Sequence, residues 1–160
     1  MRNRQTELKW ALIFTAVTLA WMLLEKSLGW HDRLIEKHAI YTNFFAVVAI
    51  ALYVFALLDV RRTTYGGYMT WKQGFVSGLI ISVGVALLSP LAQYVTHKFI
   101  TPDYFANARS YAIANGLLDA QSAEQYFSLS NYLWQAAAGA LVLGIVTAAL
   151  VALFVRRRAA

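Results

Sequence analysis

The chain has 160 residues, 59% of them hydrophobic, with no cysteine and a net charge of +6. An ordinary soluble domain is about 45–50% apolar, so the excess argues against a water-soluble globule. Lack of cysteine excludes disulfides, thiol nucleophiles and thiolate metal sites. The positive charge does not point to nucleic acid. Arg2, Arg4, Lys9, Arg61, Arg62, Lys72, Arg156, Arg157 and Arg158 all lie beside apolar stretches, where basic residues set topology and meet anionic headgroups.

The first apolar stretch, Trp10–Gly29, follows basic residues as a signal peptide would. However, Leu24-Glu25-Lys26-Ser27-Leu28 lacks the small-x-small cleavage pattern, so an uncleaved first span is expected. A polar loop then carries His31, Asp32, Glu36 and His38, before a second span at Ala39–Leu58. The next loop contains Tyr65-Gly66-Gly67-Tyr68, a turn signal able to close two antiparallel helices. A third span is expected at Gly74–Thr96 and a fourth at Tyr132–Val155, because no Asp, Glu, Lys or Arg interrupts 73–97 or 125–155. About 20 apolar residues cross a hydrocarbon core of about 30 Å. A soluble four-helix bundle would instead need a polar stripe on each helix, and Leu79–Leu88 and Gly139–Ala152 have none.

Between the last two spans, 98–131 is too polar to cross. Thr101-Pro102-Asp103 reads as a helix start and Asn115-Gly116 as its stop. Ser122-Ala-Glu-Gln125 reads as a capping box opening a second short helix. Two amphipathic helices half-buried in headgroups are expected, with Tyr126 and Phe127 toward the membrane. Of the basic residues, nine fall on the side of the termini and the second loop. Five (Lys26, Arg33, Lys37, Lys98 and Arg109) fall on the other side. Both termini are therefore expected inside, with 98–131 outside.

Small residues recur every fourth position at Gly74, Gly78, Ser82 and Ala86, and again at Ala136, Ala140, Gly144 and Ala148. Such ridges let helix backbones approach closely. Packing of spans three and four is the plain reading, and contact between copies the functional one. Pro90 should kink the third span and free the Ala86 carbonyl, which Ser89 can satisfy.

His31, Asp32, Glu36, His38 and His97 form an outer polar cluster, with Glu25 nearby. Imidazoles and carboxylates can bind zinc or titrate near neutrality. On a continuous helix, though, His31 and His38 would lie about 10 Å apart, too far to share an ion. No metal ligand, cofactor site or catalytic residue is assigned on this basis, and the cluster reads as a hydrated rim. No ionisable group occupies a mid-span position, and no phosphate loop, His-Glu-x-x-His or nucleophile elbow is present.

Four blocks carry a family likeness: Gly29-Trp-His-Asp-Arg-Leu-Ile-Glu-Lys-His38, Met69-Thr-Trp-Lys-Gln-Gly-Phe-Val-Ser-Gly78, Ser89-Pro-Leu-Ala-Gln-Tyr94 and Val151-Ala-Leu-Phe-Val-Arg-Arg. In this order they resemble the small four-span bacterial membrane proteins grouped as domain of unknown function number 4199. The resemblance implies an inner-membrane location and four helices, and brings no activity or cofactor.

The expected fold is thus all-α, one domain over 1–160, a bundle of four transmembrane helices at about 10–29, 39–58, 74–96 and 132–155. The expected partners are the lipid bilayer and either another membrane protein or further copies of the chain, with no nucleic acid. A non-enzymatic accessory or partner-binding role is favoured by the sparse reactive groups. A small transporter or channel subunit acting as a homo-oligomer, lined by Ser, Thr, Asn43 and Gln93, is the alternative. An enzyme or sensor built on the outer cluster comes third.

Overall fold

Each charge-free stretch becomes a helix, because hydrocarbon offers no partner to an open backbone N–H or C=O. The computed structural model describes residues 4–157, so Arg2 and Arg158 lie outside the described residues. Seven α-helices follow in order: α1 (Gln5–Ser27), α2 (Ile35–Tyr41), α3 (Phe45–Thr63), α4 (Trp71–Val95), α5 (Tyr104–Ala114), α6 (Ala120–Tyr126) and α7 (Leu129–Val155). A 3₁₀ turn, Thr42–Phe44, joins α2 to α3, and a π turn, Thr96–Ile100, extends α4.

Four stretches are long and apolar enough to cross a membrane: Gln5–Ser27, Ile35–Thr63, Trp71–Ile100 and Leu129–Val155. Leu12, Val47, Leu87, Leu143 and Phe154 are each more than half exposed on their outer faces. No aqueous surface would favour such a coat, and the chain is a multi-pass membrane protein.

The helices run further than the charge-free cores, to 29 and 30 residues in the second and third spans. Thr70 explains the start of α4. Its side chain accepts from Gln73 N–H while the Gln73 side chain accepts from Thr70 N–H, a capping box. Within 98–131, two expected helix starts are displaced. Asp103, not Thr101, precedes α5, and its side chain makes no cap. Asp119, not Ser122, caps α6, accepting from Ser122 N–H at 2.9 Å. That bond and the Ser122 hydroxyl hold the exposed Asp119 carboxyl below its ordinary pKa.

The widest interface joins α4 to α7, and α1 packs chiefly on α4. A Cβ added at Gly74 would lie 3.2 Å from Ala152 Cβ, and one at Gly78 only 2.5 Å from Ala148 Cβ. One at Gly144 would lie 2.7 Å from Ser82 Oγ. Successive pairs climb one helix by four residues and descend the other by four, an antiparallel meshing of the two small-residue ridges. Ala86 and Ala140 continue their ridges as half-buried positions, as does Ala136. Ser82 Oγ donates to Gly78 O at 2.8 Å and lies 2.7 Å from the Tyr53 hydroxyl, so this buried polar group is satisfied. Helix α4 continues through Pro90, and Ser89 Oγ donates to Ala86 O at 3.0 Å, occupying the carbonyl that proline leaves free.

The basic end is pinned separately. Lys9 Nζ and Trp10 Nε1 both donate to Asp59 Oδ2, at 2.5 and 2.8 Å, tying α1 to α3. Met69 and Arg157 exchange both backbone bonds at 2.8 Å, and Arg61 donates to Val155 O at 2.7 Å. Gly66 and Gly67 close the intervening loop with φ of 61° and 95°.

If the α4–α7 contact is set by these close approaches, Gly78→Leu should destabilise by about 1–3 kcal/mol through overpacking. Gly139→Ala, with nothing within 4 Å of its added Cβ, should leave stability unchanged or raise it. Thermal unfolding in detergent, followed by circular dichroism, compares the two.

Candidate functional site

Where α1 leaves its apolar run, Glu25 sits in the last turn with no exposed surface. A buried carboxylate must collect partners. Trp21, one helical turn earlier, donates Nε1–H to Glu25 Oε1 at 2.5 Å. The chain then turns sharply: Trp30 N–H bonds Glu25 O at 3.0 Å and Gly29 N–H bonds Lys26 O at 2.9 Å, with Gly29 at φ 77°. This is a Schellman ending, and its left-handed position suits glycine.

The turn folds His31 back beneath α1, with Nε2 2.9 Å from Glu25 Oε2. Helix α2 does not begin until Ile35. Residues 31–38 are therefore not one helix, and the expected 10 Å separation does not occur. His38 Nδ1 lies 3.7 Å from the same Glu25 oxygen, and the two imidazole centroids are 5.1 Å apart. His31 is only 4% exposed, so it is no hydrated rim.

A third imidazole enters from α4. The π turn carries His97, whose Nε2 lies 3.0 Å from Gln93 Oε1. Such widened turns recur where a helix must aim a functional side chain. Tyr104, the first residue of α5, closes the group: its ring centroid is 5.3 Å from His31, 5.0 Å from His38 and 5.4 Å from His97. Its hydroxyl meets that of Tyr132 at 3.1 Å. Burial, reinforced by Tyr132, pushes the Tyr104 phenol above its ordinary pKa, so it remains a neutral hydrogen-bonding group. Asn107 Nδ2 donates to His31 O at 3.0 Å, fastening α5 to the turn. Helix α5 is thus a cap over the bundle end rather than a raft in headgroups.

His31, His38, Gln93, His97, Tyr104 and Tyr132 surround a chamber of about 120 Å³, lined also by Met22, Thr42 and Thr96, with Glu25 behind His31. One donor atom from each of Glu25, His31 and His38 lies within 4.8 Å of the others. The Nδ1 atoms of His31, His38 and His97 are buried without a hydrogen-bond partner among the described residues. Asp32 and Glu36, the other members of the expected cluster, are exposed and point elsewhere. A larger groove of about 630 Å³ lies between α6 and the start of α7, but it is open and its lining carries no ionisable group except Tyr126. The smaller chamber is the candidate site.

The profile of a family described as "Protein of unknown function (DUF4199)" matches residues 9–157. The chain belongs to that family. Nothing among curated proteins or solved structures matches this DUF4199 chain, so the site is read from its own geometry.

Tyr104, Tyr132 and Gln93 were not part of the expected site. Gln93 enters the sequence reading only as a pore-lining group of the channel alternative. Glu25 did carry a readable signal: a carboxylate one turn after a tryptophan, at the end of an apolar span, just before a glycine.

Removing the shared acceptor should be costly. Glu25→Ala should destabilise by about 3–5 kcal/mol, the range for breaking a buried polar pair. Asp32→Ala and Glu36→Ala, on the exposed face, should each change stability by under about 0.5 kcal/mol. Unfolding midpoints of the three variants in detergent provide the comparison.

Proposed function

We propose that this is a non-enzymatic accessory protein of the bacterial cytoplasmic membrane, working through the capped chamber at its external end. The chamber's size carries the reading. At about 120 Å³ it holds roughly four waters at about 30 Å³ each. Pockets for organic ligands run to about 300–1,000 Å³. A hydrated ion or a few waters fit; an organic substrate with room for a reaction does not. A binding module whose occupancy stiffens the cap, and through it a membrane partner, suits such a space.

The transporter alternative is less well supported. Within one chain the mid-bundle is filled by Tyr53, Leu57, Ile81 and Ala148, which leaves no conduit. Thr15, Thr18 and Asn43 donate to the backbone carbonyls of Ala11, Phe14 and Ala39, which ties one donor of each to its own helix. The orientation rests on charge. Arg4, Lys9, Arg61, Arg62, Lys72, Arg156 and Arg157 belong to the end opposite the chamber, and short basic segments stay in the cytoplasm.

Reporter fusions after Thr64 and after Gly116 should read cytoplasmic and external respectively, and the reverse pattern overturns the orientation. For the role, photo-crosslinkers at Leu117 and Trp134 in intact cells should yield one discrete adduct with another membrane protein. Adducts only between copies of this chain, joined by ion flux in reconstituted vesicles, would instead establish the channel.

A further inference from the structure

The geometry points to a site for a divalent transition metal, zinc foremost, held by Glu25, His31 and His38. This deepens the chamber-binding reading and rests on it.

The donor set comes first. Imidazole nitrogen and carboxylate oxygen are the ligands zinc takes from proteins lacking thiolates, at about 2.0–2.2 Å. Bonds of that length in a tetrahedral shell put donors about 3.3 Å apart. Here Glu25 Oε2 lies 2.9 Å from His31 Nε2 and 3.7 Å from His38 Nδ1, which brackets that spacing.

The surroundings are those of a built site. Glu25 and His31 are almost wholly buried. The second carboxylate oxygen of Glu25 is held by Trp21, an outer partner that fixes a ligand's orientation. The unpartnered buried nitrogens need an explanation, because burying a polar atom without a partner is unfavourable. A metal accounts for His38 Nδ1 directly. With three protein ligands, the fourth tetrahedral position is left to a water from the chamber.

Binding also has a defined consequence. Zinc at His31 Nε2 requires the neutral tautomer with its hydrogen on Nδ1, the nitrogen that has no other partner among the described residues. The ligands come from the end of α1, the following turn and α2. A metal would lock these three together beneath Tyr104, and so set the position of α5.

The test is zinc binding to the full chain in detergent, by elemental analysis after dialysis and by titration with zinc alone. About one zinc per chain is expected. His31→Ala and His38→Ala should abolish it, Trp21→Phe should weaken it about 10–100-fold, and Asp32→Asn and Glu36→Gln should leave it unchanged. Cobalt in place of zinc should give the visible absorption of a four-coordinate site, lost in His38→Ala. Circular dichroism identifies any variant that fails to fold, and His38, the most exposed ligand, is the safest to remove. Absence of stoichiometric zinc in the folded native chain overturns the inference, as does zinc retained equally by the histidine variants. The photo-crosslinking at Leu117 and Trp134 separates the two claims. A partner captured without zinc binding sinks the metal site alone, and loss of both sinks the accessory reading with it.

Discussion

A carboxylate with no access to water governs the end of this bundle opposite its basic residues. Glu25 stands where the first span leaves hydrocarbon, and an unpaired charge there would be far costlier than any single packing contact. Its two oxygens have to be met by polar groups. Trp21 reaches one from within the same helix, while His31 and His38 approach the other from beyond a glycine-dependent turn. Much of the cap follows from that requirement. Asn107 holds the turn, Tyr104 covers the imidazoles, and Tyr132 braces Tyr104.

The remainder of the bundle provides a rigid frame. Lipid gives no hydrophobic drive between helices, so close approach of small residues supplies the attraction through dispersion. Gly78 against Ala148, and Gly74 against Ala152, set the register of α4 on α7. The same register brings Gly144 against Ser82 and the Tyr53 hydroxyl, where a buried polar pair satisfies itself. At the basic end, the Lys9–Asp59–Trp10 knot and the Met69–Arg157 bridge tie together what the chamber leaves distant. With both ends fixed, the π turn at Thr96–Ile100 can present His97 at a settled height.

How much of this was legible before the coordinates depended on the range of the forces involved. Spans were plain, because the exclusion of charge from hydrocarbon acts on every residue of a segment. The two small-residue ridges could be read for the same reason, through a strict four-residue period. Helix starts within 98–131 were less clear: Thr101 and Asp103, or Ser122 and Asp119, are equally good caps in isolation, and packing of Tyr104, Ala108 and Ala112 against the bundle chose between them. The site itself was hidden by distance along the chain. His31 and His38 looked too far apart only because a helix was assumed between them, and Gly29 breaks it. His97 and Tyr104 join them through tertiary folding that no local period encodes.

The account depends most on a buried Glu25 gathering the imidazoles around it. Solid-state NMR on chain reconstituted in bilayers, with ¹³C-labelled glutamate and ¹⁵N-labelled histidine, measures this directly. A dipolar contact between the Glu25 carboxyl carbon and the His31 ring, corresponding to a separation under about 4 Å for a hydrogen-bonded pair, is the result the account requires. Histidine signals in free exchange with bulk water, and no carboxyl carbon near any of them, would contradict it.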